Sequence, residues 1–173
     1  MMNIFDFKHF DIIQNEIGDI KPNRYYHFFT QARWSSHEML LYLLHSVGKS
    51  EVTITSFSIS DVIIRTLINA SENDYISNLK LILNTSVKRN KTSLLLFANK
   101  ALSYIALANN HMKLTLIEND DFKIVVNQSA NLTPNPAFES GVICSMPEVF
   151  NIYKEEIIRV TNNSLILNKD ELF

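Results

Sequence analysis

Residues 51–83 read EVTITSFSISDVIIRTLINASENDYISNLKLIL, and the order of patterns within them decides the fold. Val52, Thr53, Ile54, Thr55 and Phe57 are β-branched or aromatic at a density that suits a strand over residues 51–59. Ser60 or Asp61 can then cap a helix whose buried stripe is Val62, Ile63, Leu67 and Ile68, ending near Ala70. Leu79 to Leu83 resumes as a strand with apolar residues on both faces. Strand, helix, strand is a right-handed parallel crossover, the unit of α/β sandwiches.

Working outward, Ser35 and Glu38 stand three apart as a capping box for a helix over residues 36–47, with Leu40, Leu41, Leu43, Leu44 and Val47 as its stripe and Gly48 as its stop. Upstream, Tyr25-Tyr26-His27-Phe28-Phe29 and Trp34 read as packing residues, with a stacking surface for a base or a partner as the second reading. Downstream, residues 92–102 read as a helix and 104–107 as a short buried strand. Residues 112–117 and 122–126 form a hairpin around a polar turn. Pro134 and Pro136 bracket a loop, residues 141–144 make a last strand, and Pro147 opens a helix to about Val160. The expected fold is α/β, a mixed β-sheet flanked by helices in one domain over residues 50–173, preceded by a helical N-terminal extension over residues 1–49.

Composition bounds the function. A chain of 173 residues, 46% hydrophobic and with 3 glycines and 4 prolines, is folded and has room for one sizeable core. Sixteen basic against 18 acidic residues leave a net charge of −2, so a polyanion is not held by bulk charge and any phosphate site must be local. The one cysteine, Cys144, excludes an intramolecular disulfide and a multi-cysteine zinc site. No apolar run is long enough for a membrane span, and charges interrupt the first 20 residues, so a cytoplasmic protein without stable membrane insertion is expected.

Alternation puts His111 and Lys113 on one face of the first hairpin strand, with Met112, Leu114 and Leu116 on the other. A titratable nitrogen and a fixed cation therefore point the same way. Past the partner strand, Ser129 and Asn131 repeat the spacing with a hydroxyl and an amide that can bond an anion. Glu139, one loop later, is a carboxylate able to orient the histidine ring. Lys88, Arg89 and Lys91 form a small basic run that reads as a solvated loop or, less simply, as a track for a nucleic-acid backbone. Asp120 and Asp121 read as turn formers, and Cys144 as a small buried residue.

The ordered set His111-Met112-Lys113, Ser129-Ala130-Asn131 and Glu139 resembles the signature of the phospholipase D superfamily: His-x-Lys, a hairpin, Gly-Ser-x-Asn and a downstream Glu. The resemblance spans about Val52 to Ile158, and residues before Ser50 lie outside it. Two positions depart from it. The family's Asp, five residues after the Lys, is Glu118 here, and the Gly before the Ser is Gln128. The resemblance implies a metal-independent phosphodiesterase needing no cofactor, with His111, Lys113 and Glu139 catalytic and Lys113, Ser129 and Asn131 binding phosphate. It also implies two histidine motifs per site, one to attack phosphorus and one to protonate the leaving group. The chain has one, because His9, His27, His37 and His45 lack a Lys two residues on. A twofold homodimer would supply the second.

The leading expectation is thus a nuclease acting on DNA or RNA through a phosphohistidine, with one active site at the twofold axis of a homodimer. The alternatives are a nucleic-acid-binding module of the same fold with reduced catalysis and, third, a phospholipid-hydrolysing enzyme. Against the last, no Lys-rich amphipathic membrane-surface helix is evident.

Overall fold

The structure, a computed structural model, describes residues 7–133 and 136–167. The elements in chain order are α1 (Phe10–Ile17), β1 (Tyr25–Gln31), α2 (Ser36–Val47), β2 (Ser50–Ser56), α3 (Asp61–Glu72), β3 (Ile76–Asn84), α4 (Ser86–Asn90) and α5 (Thr92–Ala101). They continue as β4 (Ile105–Ala108), β5 (Leu114–Glu118), β6 (Lys123–Gln128), β7 (Phe138–Cys144), α6 (Pro147–Asn162) and β8 (Leu165–Ile166). The eight strands form one mixed sheet in the order β1-β7-β6-β5-β2-β3-β4-β8. β2, β3 and β4 are parallel, and every other pairing is antiparallel.

An apolar core lies on each face of the sheet. On one, Ile13 and Ile17 of α1, Leu40, Leu43 and Leu44 of α2, Ile64 and Leu67 of α3 and Leu95 of α5 cover Val52, Ile54, Leu81, Ile117, Ile124 and Val126. On the other, Phe150 and Ile157 of α6 cover Ile82, Ala106, Leu114, Leu116 and Val125. Burial on both sides explains why the parallel strands read as near-continuous apolar runs rather than as alternation.

The segments around this sheet follow their local chemistry. Ser35 and Glu38 close the capping box of α2, the Glu38 carboxylate accepting from Ser35 N–H at 2.8 Å, and Gly48 ends the helix at φ 83°. At α3, Ser60 occupies the cap position without a side-chain cap bond, and Asp61 instead pairs with Arg65 one turn on at 2.7 Å. The hairpin turn is organised by Asn119, whose side-chain oxygen accepts from the N–H groups of Asp121 and Phe122. Asp120 and Asp121 are therefore turn residues. Glu118 pairs with Lys123 and Lys154, tying the hairpin to α6. The free Cys144 is buried in β7. Pro134 lies outside the described residues.

Two segments differ from the sequence reading. Within residues 1–49, residues 25–31 form the strand β1, paired along its whole length with β7, so the segment supplies an edge strand as well as helices. Its aromatic density concealed an alternation in which Phe28 and Thr30 face inward while Tyr25, His27 and Phe29 remain exposed. The first hairpin strand, read from residue 112, starts at Leu114, which leaves His111 and Lys113 in the connection before it.

Phe28 lies across Gly141 of β7. A Cβ on Gly141 would sit 2.8 Å from Phe28 Cε1 and 2.9 Å from Asn127 O, the latter being backbone that cannot turn away. We expect Gly141→Ala to lower stability by about 1–3 kcal/mol. It should appear as a lower urea midpoint with an unchanged m-value, whereas an unchanged midpoint would mean that the strand shifts freely.

Candidate phosphate site at the sheet edge

Parallel strands β2, β3 and β4 all end at one edge of the sheet, and ligands of open α/β sheets gather outside such carboxyl ends. Residues 109–113 cross this edge from β4 to β5. Two buried asparagines hold the crossing. Asn84, at the end of β3, donates from Nδ2 to Asn110 O at 2.8 Å, and Asn110 Oδ1 accepts from Met112 N at 2.7 Å. These bonds fix the backbone on both sides of His111. Neither asparagine was singled out by the sequence, because a latch between residues 26 apart leaves no local pattern.

His111 is exposed and packs on Phe57, just past β2, with ring centroids 4.9 Å apart. Lys113 Nζ donates to His111 Nδ1 at 3.1 Å and to His111 O at 3.0 Å. An ammonium has no acceptor, so in this contact Nδ1 is the acceptor and the ring proton resides on Nε2. Lys113 O in turn accepts from Gln128 N at 3.2 Å, continuing the β5–β6 ladder. His111 and Lys113 therefore share one end of that ladder with the Ser129–Asn131 segment.

Ser129 is bound to the start of β7. Its N–H donates to Ser140 O at 2.9 Å, its hydroxyl oxygen accepts from Ser140 N at 3.0 Å, and the hydroxyl donates to the Glu139 carboxylate. Asn131 is anchored through its backbone oxygen by the Ser36 hydroxyl, and its side-chain oxygen is buried without a hydrogen-bond partner among the described residues. Leu132 then docks on the β2–α3 connection through Ser56 Oγ and Ser60 N. The structure thus joins His111 to Lys113 and Ser129 to Glu139, and sets both pairs at the same sheet edge. Of the basic run, Lys91 donates to Ser58 Oγ and Ile59 O at 2.9 and 2.7 Å, while Lys88 and Arg89 are exposed on α4. Among the described residues, no group of three or more His, Cys, Asp or Glu is placed to hold a metal ion, and no helix is long and apolar enough to cross a membrane.

Beside this edge, β1 and the start of α2 bring His37 against Ser35, whose hydroxyl lies 2.7 Å from His37 Nδ1. Burial lowers the His37 pKa below its ordinary value, with neighbouring Glu38 opposing the shift. Glu38 also accepts from His9 Nδ1 at 2.8 Å, binding the start of α1 to the capping box.

The fold is similar to that of several solved structures, one of them described as a phospholipase D family member. Nuc from Salmonella typhimurium, a phospholipase D family member, superposes with a TM-score of 0.64 at 13% identity, over 84% of this chain and 98% of its own. NucT from Helicobacter pylori matches with a TM-score of 0.64 at 17% identity, over 83% of this chain and 100% of its own. TrmBL2, an archaeal chromatin protein described as having a novel mode of DNA binding, matches with a TM-score of 0.55 at 12% identity, over 80% of this chain and 53% of its own. No family model matches the sequence, and no curated protein matches it by sequence.

The shifted histidine has a measurable consequence. With its folded pKa below the unfolded value of about 6.5, the unfolded chain binds a proton that the native state refuses, so stability falls as pH drops through that value. We expect His37→Gln to flatten this part of the profile in urea midpoints measured between pH 7.5 and pH 5. Parallel profiles for the two proteins would contradict it.

Proposed function

We propose that this chain is a phosphodiesterase that cleaves nucleic acid through a phosphohistidine, with the site completed by a second copy across a twofold axis. The observation carrying this reading is the His111–Lys113 contact at 3.1 Å, at the same ladder end as Ser129 and Asn131. A nucleophile, a fixed cation and neutral donors around one position are what phosphoryl transfer needs.

The contacts suggest an order of events. An incoming phosphate competes for the Lys113 ammonium and the Ser129 hydroxyl, and drawing them away releases Nδ1 of His111 and a Glu139 oxygen. The ring proton can then move to Nδ1, where Glu139 polarises it, and Nε2 carries the lone pair. Nε2 attacks phosphorus, the P–N bond forms, and the P–O bond to the leaving group breaks. His111 of the partner subunit, protonated, gives its proton to the departing alkoxide. It then takes a proton from the water that displaces phosphate from His111, breaking the P–N bond. Lys113, Ser129 and Asn131 hold the phosphoryl oxygens throughout, and the scheme calls on no metal or cofactor.

Nucleic acid is preferred because TrmBL2, whose description names DNA binding, is matched over 80% of this chain; a phosphatidylserine synthase from Haemophilus influenzae, matched over 91% of this chain and 44% of its own, keeps phospholipid as the third reading. The second reading, a binding module of the same fold with reduced turnover, is favoured by the match to TrmBL2.

We expect oligonucleotide cleavage in the presence of chelator, a solution mass of twice the chain, and a loss of at least about 10³-fold in His111→Ala with the fold intact. Cleavage by a monomer, or by His111→Ala, would sink the mechanism. Salt-sensitive binding without cleavage by the wild type would establish the module instead.

A further inference from the structure

A cavity of about 440 Å³ opens at the same sheet edge, on the face covered by α1 and α2. It shares a wall with the phosphate site: Ala130 and Glu139 line it, and the Glu139 carboxylate is the one that holds the Ser129 hydroxyl. Phe28 and Trp34, both buried, supply an aromatic side, and His37 and Gln128 supply polar groups. Its size falls within the range of small-molecule sites.

The lining selects the occupant. Glu38 and Glu139 both reach the wall, so a phosphate inside would face two carboxylates, and the lining favours a neutral group. Gln128, the last residue of β6, lies on the same face as Ile124 and Val126, the face covered by α2, and lines the cavity there. Its carboxamide makes no hydrogen bond among the described residues and offers a donor and an acceptor side by side.

We propose that this cavity receives a nucleobase of the strand whose phosphate lies at His111, and that Gln128 reads its edge. The assignment rests on the phosphodiester reading of the neighbouring site, and it makes Gln128 a specificity-determining residue. A carboxamide matches adenine with two bonds, so adenosine 5′-monophosphate is the expected best ligand.

Trp34 is the one tryptophan of the chain, which makes its fluorescence a direct reporter of the cavity. Titrations of the full chain with the four nucleoside 5′-monophosphates, and with ribose 5-phosphate as the probe lacking a base, test the assignment without turnover. We expect saturable quenching by adenosine 5′-monophosphate and none by ribose 5-phosphate. Gln128→Leu should weaken adenosine 5′-monophosphate about tenfold or more, and Gln128→Glu, which keeps the shape but loses the donor, should move preference toward cytidine 5′-monophosphate. Equal quenching by ribose 5-phosphate, or an unchanged ranking of the four bases in both variants, would overturn the inference. A wild type that binds nucleotides without cleaving oligonucleotides would overturn the phosphodiesterase reading and leave the base site standing. Cleavage without any base-dependent quenching would do the reverse.

Discussion

The constraint on which the site depends is the short crossing from β4 to β5. In the sheet, β3 and β2 lie between these strands, so the chain leaving Ala108 must travel three strand spacings, about 14 Å, to begin β5 at Leu114. The six peptide steps available reach at most about 20 Å. The segment therefore has little room to wander as it passes over the carboxyl ends of the parallel strands, and the Asn84–Asn110 and Asn110–Met112 bonds hold it there. His111, near its middle, rests on Phe57 where β2 ends. Topology puts the middle of this segment at that place, and the sequence puts His111 there.

The same geometry explains what could be read in advance. The parallel crossover of β2, α3 and β3 was legible because its apolar residues are contiguous in sequence and buried on both faces. The capping box of α2 was legible because its four residues are local. β1 was hidden because an edge strand with one exposed aromatic face looks, in sequence, like any aromatic cluster. Among the candidate site residues, His111, Lys113, Ser129, Asn131 and Glu139 stood out by spacing and resemblance. Asn84 and Ser56, which help hold them, did not, since their backbone partners, Asn110 and Leu132, are distant in sequence. The cavity was equally silent: Phe28, His37 and Gln128 come from three elements and meet only after β1 pairs with β7.

Local charge, not net charge, governs this edge. The chain carries a net charge of −2, and Lys91 is tied to Ser58 and Ile59. Lys113 is the cation placed directly beside the histidine, and its ammonium rests on a ring nitrogen and a carbonyl rather than on a carboxylate. Such a cation is easily drawn away, because it gives up neutral acceptors to gain an anion. Glu139 is restrained in the complementary way, holding a serine hydroxyl that a phosphate would also attract.

Gln128 shows how a departure from a motif can be mistaken for damage. Read along the sequence, a bulky side chain replaces glycine one residue before the expected phosphate contact, and obstruction is the natural conclusion. In a strand, however, adjacent residues face opposite sides. Gln128 leaves the ladder toward the α2 face, while Ser129 turns to Ser140 and Glu139. The substitution adds a carboxamide to the polar lining of that cavity.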